Sequence, residues 1–187
     1  MPADALKRYL QDHLAGSVAA LQLMETLADH ERGLPLEQKL RGLHYEVTEE
    51  QERLKAILAR LEGEESTLKL AAAWLTEKLR RARLRLVERT DPGLARLEGL
   101  ESLALGLLGK LALYRALEDA AAHEPRLAGY PFAALQSRTL SQHAMVEQER
   151  MAAARMAFVD GDGSSGTDPR DASGTLRDTG DTGEWDP

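Results

Sequence analysis

The chain has 187 residues, of which 43% are hydrophobic and 29% are charged, a composition typical of one globular domain. It has no cysteine, which excludes disulfides, thiolate metal sites and cysteine nucleophiles. The net charge is −7, and residues 160–187 hold eight acids and two bases, so the rest of the chain is close to neutral.

The spacing of apolar residues predicts five α-helices. Aromatic residues make up only 4% of the chain, and alanine and leucine dominate the apolar set, which favours helices over strands. Gly33 and Pro35 separate the first two helices, and Asp91 and Pro92 suit the N-cap and first position of the fourth. The predicted helices cover residues 3–31, 35–62, 65–89, 93–123 and 130–158.

These elements predict an all-α fold, an antiparallel up-down helical bundle of five helices. The predicted linkers are short, so helices that follow one another in sequence should pack antiparallel. The bundle domain is expected to span residues 1–158. Residues 159–187 are rich in glycine, serine, threonine and aspartate, and we expect them to form a disordered acidic tail.

The N-terminus and the most apolar run bear on localisation. The first residues are charged and lack the apolar region of a signal peptide. The run 100–113 is too short for a membrane span and carries Glu101 and Lys110. The sequence therefore predicts a cytoplasmic protein that does not interact with a membrane.

Titratable side chains interrupt the apolar stripes of four predicted helices, the first, second, fourth and fifth. Packing the first two helices as a hairpin places His13 opposite Glu52, with Glu50 adjacent, and at 1.5 Å per residue His143 lies at a similar level. Carboxylates and imidazoles from several helices suit iron, manganese or zinc in a bundle core. The candidate metal ligands are His13, Glu46, Glu50, His143 and Glu147.

A structural polar layer is the other interpretation of these side chains. In it His13 bonds Glu50, and Glu101 pairs with Arg150, which fixes the register of the helices. A di-iron bundle needs Glu-x-x-His on two helices, and no histidine here has an acid three residues earlier. Lys110 lies at the same level and would repel a metal cation. Both observations favour the polar layer, with no cofactor.

Small residues recur along one side of the predicted fourth helix. Because glycine costs about 1 kcal/mol relative to alanine inside a helix, its presence needs a steric reason. The pattern predicts a ligand groove or, as the spacing favours, a close helix contact in which a bulky residue such as Trp74 fills the notch. The stripe consists of Gly99, Ser102, Gly106 and Gly109.

The predicted third helix is basic, above all in the segment Arg80–Arg85. It could bind phosphate, RNA, an acidic partner or the acidic tail. It is equally explained as a solvated face with cations near a helix C-terminus. The near-neutral bundle and the lack of an aromatic platform argue against a nucleic-acid partner.

Three stretches resemble an uncharacterised bacterial family of ferritin-like four-helix-bundle proteins of unknown function. They are YLQDHLAGSVAALQLMETL at Tyr9–Leu27, EESTLKLAAAWLTEKLRRARLRL at Glu64–Leu86 and LEGLESLALGLLGKLALYRAL at Leu97–Leu117. The resemblance covers about residues 5–157 and implies a ferritin-like architecture. It implies no ligand set, because the Glu-x-x-His pairs are missing.

The sequence as a whole favours a non-catalytic bundle that acts through protein–protein interaction, with another protein or as a homo-oligomer. The alternative is a divergent metal-binding ferritin-like protein that uses iron or manganese in storage or oxidative stress. A third interpretation is phosphate or RNA binding through Arg80–Arg85, which would depend strongly on salt.

Overall fold

The computed structural model describes residues 2–62 and 91–158. Within these two ranges the chain forms four α-helices and one short 3₁₀ helix, and no strand. The predicted third helix, with Arg80–Arg85, and the predicted tail lie outside the described residues. The elements are α1 (Pro2–His30), α2 (Pro35–Glu62), α3 (Pro92–Ala120), the 3₁₀ helix Pro125–Leu127 and α4 (Phe132–Phe158).

The turn between α1 and α2 forms as the sequence predicts. Gly33 has a φ of 83°, a left-handed conformation that glycine adopts without strain. Its amide donates to the Glu37 carboxylate at 2.8 Å, and the Leu34 amide donates to the Glu31 carbonyl at 2.9 Å. Pro35 then opens α2, where a missing amide proton costs nothing.

The helices α3 and α4 correspond to the predicted fourth and fifth helices. The Asp91 cap confirms the predicted start of α3, but the loop between α3 and α4 is longer than predicted. The Asp91 side chain accepts from the amides of Gly93 and Leu94 at 2.9 and 3.2 Å. At the other end, α3 ends at Ala120, and the 3₁₀ helix, which Glu124 caps, follows after a turn. Gly129, with a φ of 85°, lies between the 3₁₀ helix and α4.

All neighbouring helices run antiparallel to one another. The pairs α1–α2 and α3–α4 are antiparallel hairpins. The contacts along the pairs α1–α3 and α2–α4 show that these helices are antiparallel as well. As a consequence α2 and α3, which face each other diagonally across the core, run parallel. The contacts are Ser17–Gln51, Asp29–Arg41, Glu118–Gln136, Lys110–Gln142, Leu27–Gly99, Lys39–Glu149 and Glu46–Gln142.

The chain therefore leaves α2 and enters α3 at opposite ends of the bundle. The Leu61 carbonyl accepts a hydrogen bond from Arg126 at 2.9 Å, which places the end of α2 beside the loop that follows α3. The start of α3 lies at the far end, where Arg96 pairs with Glu31 at 3.3 Å.

A polar layer divides the core into two apolar clusters. One cluster, near the α1–α2 turn, contains Met24, Leu27, Leu40, Leu43, Val47, Leu100, Leu103, Leu107 and Val146 among others. The second, near the 3₁₀ helix, contains Leu10, Leu54, Ile57, Leu61, Leu113, Tyr114, Leu117, Leu127, Phe132 and Leu135 among others. Between them lie the buried Glu50 and Gln142.

Candidate functional site

Four side chains from three helices form the polar layer: Lys110, Glu50, Gln142 and Glu46. The Lys110 ammonium donates to the Glu50 carboxylate and, at 2.5 Å, to the side-chain oxygen of Gln142. The Gln142 amide nitrogen donates to Glu46 at 2.7 Å and to Glu50 at 3.2 Å. Because Glu50 is only 1% exposed, its charge needs the compensation that Lys110 provides.

Burial perturbs the ionisable groups in and beside this layer. Desolvation lowers the pKa of Lys110, while the charge and hydrogen bond of Glu50 oppose that shift. Tyr114 lies one turn beyond Lys110 on α3, and burial, reinforced by Glu50, raises its pKa. Its buried hydroxyl has no hydrogen-bond partner in the described part of the chain. Lys110 and Glu50 therefore have hydrogen-bond partners, whereas the Tyr114 hydroxyl beside the layer has none in the described part of the chain.

The predicted ligands Glu46 and Glu50 do meet in the structure, through Gln142. They lie one turn apart on α2 and accept hydrogen bonds from the same amide group. Sequence reasoning placed His143 rather than Gln142 on the buried stripe of α4. Because a helix has 3.6 residues per turn, the residue three or four positions after Thr139 could lie on the buried stripe. In the structure the buried residue is Gln142, three positions after Thr139.

The predicted ligands His143 and Glu147 lie on α4, at the edge of the bundle. Glu147 binds Arg150 through two contacts of 2.6 and 2.7 Å. That hydrogen bonding lowers the pKa of Glu147, and the nearby His143 adds a smaller effect in the same direction. Glu101 was predicted to pair with Arg150. The hydrogen bond and charge of Glu147 raise the pKa of Arg150, and the charge of Glu101 adds a smaller effect in the same direction.

His13 lies apart from the other predicted ligands. Its ring contacts the edge of Tyr9, with 4.6 Å between ring centroids, and burial lowers its pKa. The predicted register of α1 against α2 is wrong by about one helical turn. Gln51, the residue after Glu50, donates a hydrogen bond to Ser17 rather than lying opposite His13.

The residues present do not fit the two-metal site of a ferritin-like enzyme. In residues 2–62 and 91–158 no three histidine, aspartate or glutamate side chains are grouped so that they could hold a metal ion. The Lys110 ammonium lies against Glu50, where a cation bound to the carboxylates of α2 would have to lie. The Glu50 carboxylate thus has the Lys110 ammonium as its partner.

A second feature is a cavity of about 420 Å³ between α1 and α3. Its floor is apolar and includes Leu43, Val47 and Leu54 of α2, while His13 and Lys110 lie on its walls. Three glycines also line it, Gly16 from α1 and Gly106 and Gly109 from α3. The cavity thus borders the polar layer on one side of the bundle.

A third feature is a set of exposed apolar side chains on α3 and α4. On α3, Leu105 is 63% exposed and Leu108 is 46% exposed. They share a helix face with Glu101, whose charge acts on Arg150 of α4, so this face borders α4. We name as the outer face the set Leu105, Leu108, Leu140, Met151 and Phe158.

Comparison of the chain with protein-family models, with curated proteins and with solved structures finds no match. Among the helices described, none has the length and apolar content that crossing a bilayer requires.

Proposed function

We propose that this protein is a ferritin-like helical bundle that acts without catalysis, by associating with a second copy of itself through the outer face. The observation that carries the proposal is the exposure of Leu105 and Leu108 on the most apolar helix of the described chain. Exposed apolar side chains that share one face of a helix are typical of an interaction surface.

The order and direction of the helices support the ferritin-like assignment. Two antiparallel hairpins are joined by a connection that must return from one end of the bundle to the other. One long crossover of this kind distinguishes ferritin-like bundles from up-down bundles with short loops. Here α2 ends at Glu62 and α3 begins after Asp91 at opposite ends of the described bundle, as a crossover of this kind requires.

The composition of α3 supports an interaction surface. An amphipathic surface helix has one polar face, whereas a helix that is apolar all round is buried on all sides. In α3, leucines face both the core, as Leu103 and Leu107 do, and solvent, as Leu105 and Leu108 do. A partner bound to the outer face would bury Leu105 and Leu108, as the core already buries Leu103 and Leu107.

A second copy suits the charge pattern of α3. Glu101 precedes the two exposed leucines on this face, and Arg115 follows them. In an antiparallel pair with a two-fold axis between Leu105 and Leu108, the acidic end of each row would face Arg115 of the other copy. Such a two-fold contact closes upon itself and gives a dimer.

The test is the oligomeric state of the full chain, measured by sedimentation over a range of protein concentrations. We expect a dimer in the parent protein and a monomer in Leu105→Glu, because a carboxylate cannot be buried between the two rows. Leu34→Glu is the matched control, since Leu34 is similarly exposed but lies in the α1–α2 turn. A parent protein that is monomeric throughout, or a Leu105→Glu variant that still dimerises, would contradict the proposal.

Metal binding is the second candidate function, and the proximity of Glu46 and Glu50 in the bundle centre favours it. The Lys110 ammonium already balances that charge, so we expect no metal to remain bound. Loading the protein with iron or manganese in air, followed by gel filtration and metal analysis, tests this. One equivalent or more, retained by the parent and lost in Glu50→Gln, would make metal binding the better assignment.

A further inference from the structure

The cavity between α1 and α3 joins an exposed rim to an apolar floor. Gly16 and Gly106 line it and are exposed, so the cavity opens to solvent beside them. Its lining also includes Leu43 and Val47 of α2, which are buried. Its volume of about 420 Å³ lies within the range of about 300–1,000 Å³ that is usual for pockets that hold small organic molecules. A molecule of that size can therefore reach the apolar interior from solvent.

Three glycines keep the cavity wide. A Cβ atom at Gly16, Gly106 or Gly109 would meet nothing within 4 Å, so packing of the described helices does not require glycine there. At Gly99, in contrast, a Cβ atom would lie 2.9 Å from Leu27, so close helix packing explains that glycine. Because glycine is less favourable than alanine inside a helix, the three cavity glycines need another reason. Larger side chains at these positions would narrow the open space.

The charges of the lining exclude an ionic occupant. The charged side chains of the lining are Asp12 and Lys110, which have opposite signs. The Lys110 ammonium is already paired with Glu50 and bonded to Gln142, so its charge is compensated within the bundle. Burial lowers the pKa of His13, against the opposing charge of Asp12, which favours the neutral ring at neutral pH. The cavity therefore offers no uncompensated cation to hold a carboxylate or a phosphate.

The wall nevertheless carries one polar group that is not engaged elsewhere. His13 is half-buried, and within residues 2–62 and 91–158 neither nitrogen of its ring has a hydrogen-bond partner. Ser17, one turn along α1, donates to the Leu14 carbonyl at 2.7 Å and accepts from Gln51 at 2.8 Å. A neutral imidazole has one donor and one acceptor nitrogen, so His13 can bond either a hydroxyl or a carbonyl group.

We propose that the cavity binds a neutral, largely apolar organic molecule with one hydrogen-bonding group, of the class of a long-chain alcohol or ketone. The apolar part lies over the floor that α2 provides, and the polar group bonds His13. The residues of the outer face do not line this cavity, so the proposal is independent of the proposed function. A monomeric protein would contradict the dimer and leave this site unaffected.

Binding of the neutral fluorophore phenylnaphthylamine to the full chain tests the proposal. We expect its emission to rise and to saturate at one probe per chain. Gly109→Leu, whose side chain would occupy the cavity, should weaken this binding by about tenfold or more, which corresponds to about 1.4 kcal/mol. Gly106→Leu tests the same expectation from the exposed rim. Gly42→Leu is the matched control, because Gly42 is also helical with no atom within 4 Å of its Cβ but lies outside the cavity.

Displacement of the probe tests the chemistry of the ligand. Decanol should displace the probe, whereas decanoate should require a concentration at least about tenfold higher, because burying its carboxylate without a cation is unfavourable. His13→Leu should weaken the binding of decanol but not that of naphthalene, which has no hydrogen-bonding group. Equal displacement by decanol and decanoate would contradict the neutral class, and equal effects of His13→Leu on decanol and naphthalene would remove His13 from the site.

Other occupants of the cavity give different results. A parent protein that binds no probe, as it would if polypeptide filled the cavity, would overturn the proposal. Probe binding that appears only when the protein is diluted would assign the cavity to a second copy of the chain and overturn it as well. Equal probe affinity in Gly109→Leu, Gly106→Leu and Gly42→Leu would place the bound probe elsewhere on the molecule, with the same consequence.

Discussion

The ammonium group of Lys110 donates a hydrogen bond to the carboxylate of Glu50 where the two apolar clusters of the bundle meet. Gln142 binds both groups, so α2, α3 and α4 are joined at one level. A leucine layer would pack at several helix registers, whereas this network forms at one. We interpret the layer as a device that fixes register at some cost in stability.

Removing one member of this ion pair should destabilise the fold strongly. Lys110→Met leaves the buried charge of Glu50 unpaired, and we expect a loss of about 3–5 kcal/mol in the free energy of unfolding. The double variant Lys110→Met/Glu50→Leu should regain most of it, because no buried charge remains. Urea unfolding of the parent, both single variants and the double variant measures the coupling energy.

A surface pair serves as the control for this cycle. Lys55 and Glu52 form an exposed ion pair at 2.7 Å, and Lys55→Met should cost under about 1 kcal/mol. If Lys110→Met cost no more than Lys55→Met, the buried charge of Glu50 would not depend on Lys110 for its compensation.

Much of the fold could be predicted from the sequence because its boundaries have local causes. Gly33 and Pro35 end one helix and begin the next, and Asp91 caps α3, all through contacts within four residues. The buried stripe of α2 was also predictable, since every apolar position on it is leucine, isoleucine or valine. Local signals of this kind depend little on the rest of the molecule.

The partners within the site could not be predicted, because they depend on register between distant helices. The α1–α2 turn shifts α1 by about one turn from the simple hairpin estimate, which moves His13 away from Glu50. The parallel alignment of α2 with α3 brings Lys110 to Glu50 across the core. Lys110 was predicted to lie at this level, but its partner was not.

Replacement of Tyr114 by phenylalanine should cost little. Its buried hydroxyl has no hydrogen-bond partner in the described chain, so Tyr114→Phe removes a group that is desolvated without compensation. We expect a change within about 1 kcal/mol or a small gain, against a loss of about 3–5 kcal/mol for Tyr114→Ala, which opens a cavity. Thermal unfolding of both variants measures this, and a large loss for Tyr114→Phe would show that the hydroxyl has a partner.

Two exposed glycines should respond in opposite directions to alanine. Gly33 has a φ of 83°, where a Cβ is strained, so Gly33→Ala should destabilise by about 1–2 kcal/mol. Gly42 is helical, and its Cβ would meet nothing within 4 Å, so Gly42→Ala should stabilise by about 0.5–1 kcal/mol. Equal effects in chemical unfolding would contradict the conformational explanation.

The loop between α3 and α4 should lose an ion pair in acid. Hydrogen bonds from the Arg126 side chain and amide lower the pKa of Glu124 from an ordinary 4.5 to about 2. Because the folded-state pKa is the lower one, this contribution to stability is complete above pH 4.5 and is lost as the pH falls towards 2. The stability difference between the parent and Glu124→Gln should therefore shrink over that range. An NMR titration of the Glu124 carboxyl should show its pKa return towards 4.5 in Arg126→Met, and an unchanged value there would assign the shift to another group.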